Sequence, residues 1–210
     1  MIASRSPSGV TPSLSTVTVR VSGSQLPALH AVVEACATKL GITAPQVYVI
    51  QEGLWNALSM KLAGKRMVVL YSGAVDSILL KGNMGQLTWL VGHEIGHHAA
   101  GHLDFVRRLA FAGGWFIWVM LWYSRRCELT CDRIGLYCVG NLGPSLGAVA
   151  NLTVGAQLAE TVSVDEAIKQ WQGHRKEFFV RYRTIYSTHP HHLWRMEEMK
   201  KAAAEMGIAA

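Results

Sequence analysis

The sequence is short of the features that define several broad classes of protein. Its four cysteines include no CxxC pair, so we expect reduced thiols, as in cytosolic proteins. Lysine and arginine give a net charge of +6 but form no dense run, which argues against a nucleic-acid interface. A charge of this size suits acidic partners or an anionic membrane surface, and an ordinary solvated surface has the same composition.

The N-terminal segment lacks the apolar core of a secretory signal. Residues 1–15 are rich in serine, proline and threonine, so we predict a disordered leader followed by a single domain over residues 16–210. A chain of this length can bury a substantial core. The expected location is the cytoplasm, and the alternative is peripheral attachment to the inner face of a membrane.

The tryptophan-rich stretch from Leu109 to Tyr123 falls short of a membrane span. It holds fifteen uncharged residues between two arginine pairs. As a helix it would reach only about 22 Å, against a hydrocarbon core of roughly 30 Å. The pattern favours a buried core helix. The alternative is an interfacial wedge, since tryptophan and flanking arginine prefer a membrane surface.

What the sequence does contain is a series of strands followed by a series of helices, the order typical of an α+β fold. Alternation predicts a strand at Thr16–Val21, and the segments QVYVIQ, WNALSMKL and RMVVLYS predict three more. The segment SQLPALHAVVEACATKLG predicts a first helix that stops at Gly41. Further helices are predicted over Met84–Arg108, Tyr123–Val139, within Gly147–Glu160, and over Asp165–Tyr186 and His191–Met206. We therefore expect a small N-terminal sheet, with an edge strand, beside a predominantly helical body.

The stretch WLVGHEIGHHAAGH contains an HExxH motif on a predicted helix. Residues four apart share one helix face, so His93 and His97 can offer two nitrogens to one tetrahedral zinc ion. Glu94 then lies beside a water activated by the metal, where a general base belongs. A histidine-rich surface helix is the competing interpretation. His98 and His102 are predicted to lie on other faces or beyond ligand reach, in solvent or packing positions.

A catalytic zinc site needs a third protein ligand. Glu128 and Asp132 stand four apart on the next predicted helix, so Glu128 can approach the metal while Asp132 accepts the second N–H of a ligand histidine. Cys127 and Cys131 are also four apart, but their face lies about a hundred degrees away. We expect these two cysteines to be small buried packing residues.

HExxH, a following helix with ExxxD and a late STHPHHLWR segment together resemble the HtpX-like and CAAX-prenyl-endopeptidase-like branch of the gluzincin zinc metallopeptidases. The resemblance covers roughly Val47 to Arg195. It implies a gluzincin-like domain with one zinc ion and an Asn-Ala pair on a strand ahead of the zinc helix. The implied residues are the zinc ligands His93, His97 and Glu128, the base Glu94, the supporting aspartate Asp132, the strand pair Asn56 and Ala57, and the late residues His189, Pro190 and Arg195.

These residues predict a zinc metalloendopeptidase with a protein or peptide substrate. Zinc polarises the scissile carbonyl, while Glu94 takes a proton from the attacking water and returns it to the leaving amine. His189 is the candidate donor to the oxyanion, unless it only bonds locally before the proline. Arg195 either assists at the substrate or braces the loop. Asn56-Ala57 either receives the substrate as an added strand or is an ordinary edge-strand pair.

The competing class is a zinc-stabilised, non-cleaving module that binds unfolded or membrane protein segments in the manner of a chaperone. Glu94 argues against it, because a scaffold needs no base at that position. The zinc site also bears on the membrane question. His97 and Glu128 must meet at one ion, so a single span between them is excluded, which leaves residues 109–123 as core or as a peripheral membrane contact.

Overall fold

The computed structural model describes residues 18–51, 57–62, 64–104 and 117–208. Outside these ranges lie the predicted leader at 1–15, Asn56 of the predicted strand pair and residues 109–116 of the tryptophan-rich stretch. Within them the chain has the predicted α+β fold, with a four-stranded sheet from the N-terminal part and a larger body of helices.

The sheet contains both parallel and antiparallel strand pairs, and its last strand lies at an edge next to the helices. Its strands are β1 (Thr18–Arg20), β2 (Gln46–Ile50), β3 (Ala57–Leu62) and β4 (Lys65–Tyr71), in the order β1-β2-β4-β3. β2 and β4 pair in parallel, and β1 and β3 add antiparallel on the two sides. Residues 67–70 of β4 are all buried, as expected where both faces of a strand are covered. The predicted edge strand is β3.

The described helices agree with most of the predicted ones. The helix predicted within Gly147–Glu160 begins earlier, at Leu142. Pro144 lies in its first turn, where the missing N–H of proline costs no hydrogen bond. The helices are α1 (Pro27–Lys39), α2 (Ser72–Leu80), α3 (Met84–Ala99), α4 (Ile117–Val139), α5 (Leu142–Val154), α6 (Val164–His174), α7 (Phe178–Tyr186) and α8 (His192–Met206), with a 3-10 turn at Leu158–Thr161.

One described helix was not predicted, and one predicted helix is divided in two. α2 was not expected, because its nine residues bury only Ala74, Val75 and Ile78, too short a pattern to show a helical period. The single helix predicted over Asp165–Tyr186 is instead α6 and α7. Glu177 has an extended backbone between them, with ψ 144°, and this breaks the helix although the hydrophobic spacing continues.

α3 ends at Ala99, well before the predicted end at Arg108. Gly101 has a φ of +69°, a left-handed conformation that glycine adopts without strain and that commonly follows a helix end. The chain changes direction there. His102 therefore leaves the face that an unbroken helix would have given it.

α3 is central to the fold, and α4 crosses it at close range. A Cβ at Gly92 would lie 2.9 Å from Cβ of Cys138, and one at Gly135 would lie 2.9 Å from the carbonyl oxygen of Trp89. Glycine is needed at both positions because any side chain would push the helices apart. This close approach brings the polar positions of the two helices face to face.

The described part of the tryptophan-rich stretch is not buried. Trp118 is 48% exposed and Trp122 is 52% exposed, so the favoured interpretation as a core helix is wrong for the residues from 117 onwards. α4 begins with these side chains at the surface and becomes buried only from Arg125 onwards. None of the helices in the described ranges is long and apolar enough to cross a bilayer.

Candidate metal centre and active site

The two motif histidines and Glu128 converge where α3 and α4 cross. Nε2 of His93 lies 3.5 Å from one carboxylate oxygen of Glu128, and Nε2 of His97 lies 3.4 Å from the other. One donor atom of each residue falls within 4.8 Å of the other two. The structure thus brings together the three residues predicted as metal ligands.

These separations fit a tetrahedral metal ion. Nitrogen and oxygen donors bound at about 2.0–2.1 Å lie about 3.4 Å apart along a tetrahedral edge; each N···O distance is close to this length, although the two run to different oxygens of Glu128. Two imidazoles and one carboxylate also leave a fourth position for water or substrate. A donor set of this kind is expected in catalytic metal sites rather than in closed structural ones.

Asp132 lies behind His93, outside the ligand set. Its Oδ1 is 3.0 Å from Nδ1 of His93, although the ring N–H is not well aligned on it. Both carboxylate oxygens accept hydrogen bonds from Arg195, Oδ2 from Nε at 2.8 Å and Oδ1 from Nη2 at 2.6 Å. This fixed carboxylate lies behind the ring, where a carboxylate that supports a ligand histidine is expected, and its supporting role stays a prediction.

Buried charges shift the pKa values of the metal-free centre. Burial alone would lower the pKa of His93, but Asp132 and Glu128 outweigh it and raise that pKa to about 10. Burial also opposes ionisation of Glu128 and Asp132. Their contacts with His93 and the charge of Arg195 nevertheless hold both carboxyl pKa values below the usual range. A divalent cation would replace the proton on His93, since a ligand imidazole must be neutral.

Glu94 is buried and is anchored by the edge strand. The hydroxyl of Ser59 in β3 lies 2.6 Å from Oε2 of Glu94 and 2.9 Å from its backbone carbonyl oxygen. The hydroxyl has a single hydrogen, so the two acceptors share it. This contact fixes the carboxylate of the predicted base against the sheet.

A cleft of about 510 Å³ opens over these groups. Ala57, Leu58 and Ser59 form part of one wall, so the edge of the sheet borders the metal centre directly. Ala57 therefore lies where the predicted strand pair would meet a substrate. Its predicted partner Asn56 lies outside the described residues.

The two late residues lie in different environments. His189 is on the loop before α8, with its side chain 60% exposed and its Nδ1 4.0 Å from Oε1 of Glu128. Its main chain bonds Ser187, which leaves the imidazole to face the cleft. Arg195 also lines the cleft, but it is buried and engaged by Asp132. Its side chain thus braces Asp132 of α4, and both predicted roles, bracing the loop and contact with substrate, stay predictions.

Two residues near the centre were missed at the level of sequence. Ser59 lies two positions after Ala57 and so shares its face of the strand, which was the available signal. His102 was expected in a solvent or packing position beyond reach of the zinc site, and it lies outside the set of His93, His97 and Glu128, but its contact with His97 was not predicted. It is buried with Nδ1 3.4 Å from Nδ1 of His97, and burial lowers its pKa to about 4. Gly101 was the overlooked signal. His98 is a packing residue as predicted, with Nε2 3.0 Å from the backbone oxygen of Met67.

An HExxH helix, a glutamate from a crossing helix and an anchored carboxylate beside an edge strand are the features expected of a metallopeptidase site. Comparison with known proteins agrees, because the sequence profile described as "Peptidase family M48" matches residues 24–117 and 106–203. The chain belongs to peptidase family M48.

A curated relative supports the same class. The chain is similar to the plastoglobule-localized metallopeptidase 48, chloroplastic, of Arabidopsis thaliana, with 28% identity over 173 residues. The alignment covers 75% of this chain and 49% of the relative, so the chain spans about half of that protein's length. No solved structure matches the chain.

Proposed function

We propose that this protein is a zinc-dependent metalloendopeptidase that cuts an extended segment of a protein or peptide. The observation that carries the proposal is the meeting of a three-donor centre and the anchored carboxylate of Glu94 in one cleft. Two imidazoles with one glutamate form a donor set found in catalytic zinc sites. A purely structural site has no use for a base beside it.

The chain's own residues divide the work of hydrolysis. When bound, zinc would supply a Lewis acid that polarises the scissile carbonyl. Ser59 holds Oε2 of Glu94, so that this carboxylate can take the proton of the attacking water and deliver it to the leaving amine. Asp132 and Arg195 hold His93 in the orientation that directs Nε2 into the centre.

β3 offers the template for an extended substrate. It pairs with β4 on one side, and its residues border the cleft on the other. A peptide can add to such an edge as a further strand, with main-chain hydrogen bonds giving affinity. In this proposal Asn56 and Ala57 receive the substrate backbone, and the scissile bond lies over the metal centre.

His189 is proposed as the donor that stabilises the oxyanion. Its exposed imidazole lies at the rim of the cleft, 4.0 Å from a carboxylate oxygen of Glu128. A donor placed there would act on the negative charge that develops during attack on the carbonyl. The likeness of STHPHHLWR to the HtpX-like and CAAX-prenyl-endopeptidase-like proteins supports the assignment.

We also propose peripheral contact with the inner face of a membrane, through residues 109–123. Trp118 and Trp122 are about half exposed at the start of α4. The ring of Trp118 packs edge-on against that of Tyr186 in α7, with 4.6 Å between the ring centroids. α7 itself exposes Phe178 at 73% and Phe179 at 81%. Exposed arginines lie among these rings on both helices. Aromatic rings with arginine suit the boundary of an anionic bilayer.

The endopeptidase proposal is tested with the purified full chain, casein and a library of unstructured peptides. We expect cleavage within chains, its loss on treatment with a chelator, and its return when one equivalent of zinc is added back. Cleavage that continues without metal would contradict the proposal. A zinc-loaded, folded protein that binds the peptides and cuts none would favour the non-cleaving module instead.

A further inference from the structure

A second set of metal-binding side chains lies behind the metal centre, on the far side of the His97 ring. Nδ1 of His102 is 3.4 Å from Nδ1 of His97 and 3.5 Å from Sγ of Cys131. One donor atom of each of the three residues lies within 4.8 Å of the other two. His97 thus presents Nε2 to Glu128 on one side and Nδ1 to His102 on the other, and His102 in turn contacts Cys131.

The spacing of this triad fits a tetrahedral ion bound by nitrogen and sulfur. With metal–nitrogen bonds of about 2.0–2.1 Å and a metal–sulfur bond of about 2.3 Å, a tetrahedral edge is about 3.4 Å between nitrogens and about 3.6 Å between nitrogen and sulfur. The two measured contacts agree with these lengths.

The surroundings of the triad also suit a cation. Cys131 is fully buried and His102 nearly so, while both histidines line the cleft and give an ion a route from solvent. The negative charge of Glu128 lies close by. A thiolate with two imidazoles selects soft or borderline ions such as Zn²⁺ and Co²⁺ over Mg²⁺ or Ca²⁺.

We propose that His97, His102 and Cys131 form a second, inhibitory metal site for a thiolate-binding divalent cation. Binding converts the Cys131 thiol to thiolate and releases its proton to solvent. An ion held on Nδ1 of His97 would share that ring with the first site and would also displace the proton on Nδ1. Two displaced protons would make the second site weaker than the first. The shared ring would donate more strongly to the first ion and reduce the Lewis acidity supplied there, so turnover would fall; this effect rests on the proposed function.

The test is a Co²⁺ titration of the metal-free full chain, followed by absorption spectroscopy. The proposed first site contains no sulfur, so its cobalt complex has only weak visible bands, whereas a cobalt–thiolate bond adds a strong near-ultraviolet charge-transfer band. We expect this band to grow with the second equivalent of Co²⁺. Cys131→Ser should abolish it and keep the visible bands of the first equivalent.

Cys127→Ser is the matched control, since Cys127 lies one turn earlier on α4, is also buried and belongs to neither triad. It should keep the band. His102→Gln should lose the band and provides a second test if Cys131→Ser fails to fold. Excess zinc should lower the activity of the parent, with a smaller fractional loss in Cys131→Ser. The absence of a thiolate band in the parent with excess Co²⁺, or a band that survives in a folded Cys131→Ser variant, would overturn the proposal. The spectra do not depend on peptidase activity.

Discussion

Replacement of Asp132 by asparagine should affect both the stability of the fold and the metal centre. In the parent, Oδ1 and Oδ2 accept two hydrogen bonds from Arg195, at 2.6 and 2.8 Å, and Oδ1 also lies 3.0 Å from Nδ1 of His93. Asparagine keeps the shape but removes the negative charge. It also turns one acceptor into an N–H₂ donor, which must face another donor.

The magnitude follows from burial. Arg195 is 5% exposed and Asp132 is 2% exposed, so the variant leaves a guanidinium charge buried without its counterion. Loss of one partner from a buried ion pair costs about 3–5 kcal/mol of unfolding free energy. Loss of the carboxylate behind a ligand histidine weakens metal affinity by roughly ten- to a hundredfold. Denaturant unfolding of the metal-free protein measures the first effect, and zinc competition against a chelator measures the second.

Asp165→Asn is the matched control. Asp165 also forms a 2.6 Å ion pair, with Lys200, but its side chain is 70% exposed. Water screens and replaces such a contact, so we expect no measurable change in unfolding or in zinc binding. If Asp132→Asn is as stable as the parent and binds zinc equally well, Asp132 neither balances Arg195 nor orients His93.

Three further predictions concern the base, the ligand proton and the surface aromatics. Ser59→Ala should lower kcat roughly tenfold by freeing the carboxylate of Glu94, whereas Ser59→Thr should retain most of the rate. Because the metal-free pKa of His93 is raised to about 10, zinc binding should release a proton and zinc affinity should rise about tenfold per pH unit from about pH 7 to about pH 10. Trp118→Ser with Trp122→Ser should abolish binding to anionic liposomes, yet leave the melting temperature unchanged, because both rings are half exposed.

Each of these predictions has an outcome that contradicts it. Full activity of Ser59→Ala in a peptide assay would mean that the base is held by other contacts. Calorimetry in buffers of different ionisation enthalpy that shows no proton release near neutral pH would contradict the charge assigned to His93. The protonated His93 ring contributes its full share to the unfolding free energy of the metal-free protein below about pH 6.5. This contribution falls as the pH rises and is lost above about pH 10. Parent protein that fails to sediment with liposomes, at low as well as high salt, would refute the membrane contact.

Much of the centre could be predicted because its chemistry is local in sequence. The spacing within HExxH places His93 and His97 on one face of α3, and the spacing within ExxxD places Glu128 and Asp132 on one face of α4. The crossing of α3 and α4 then brings the two faces together, and its close approach depends on Gly92 and Gly135. The strands were predicted for a similar reason, since alternation and continuous apolar runs report the burial of each face.

What the sequence did not predict depends on single backbone conformations and on contacts between distant elements. The left-handed backbone of Gly101 places His102 against Nδ1 of His97. The hydrophobic spacing of the sequence continued past Gly101 and gave no sign of this turn. The extended backbone at Glu177 divided a predicted helix in the same way. Ser59 meets Glu94 across 35 positions of sequence, and no spacing rule connects a strand hydroxyl to a helix carboxylate.

The most direct measurement of the central claim is the pairing of zinc content with turnover in Glu94→Gln. Glutamine keeps the size and the contact with Ser59 but cannot take a proton. The variant should therefore hold one zinc per chain and cut peptides roughly a thousandfold more slowly. Glu34→Gln, on the exposed face of α1, should match the parent in both measurements. Near-parental turnover by Glu94→Gln, or loss of its zinc, would contradict the assignment of Glu94 as the general base.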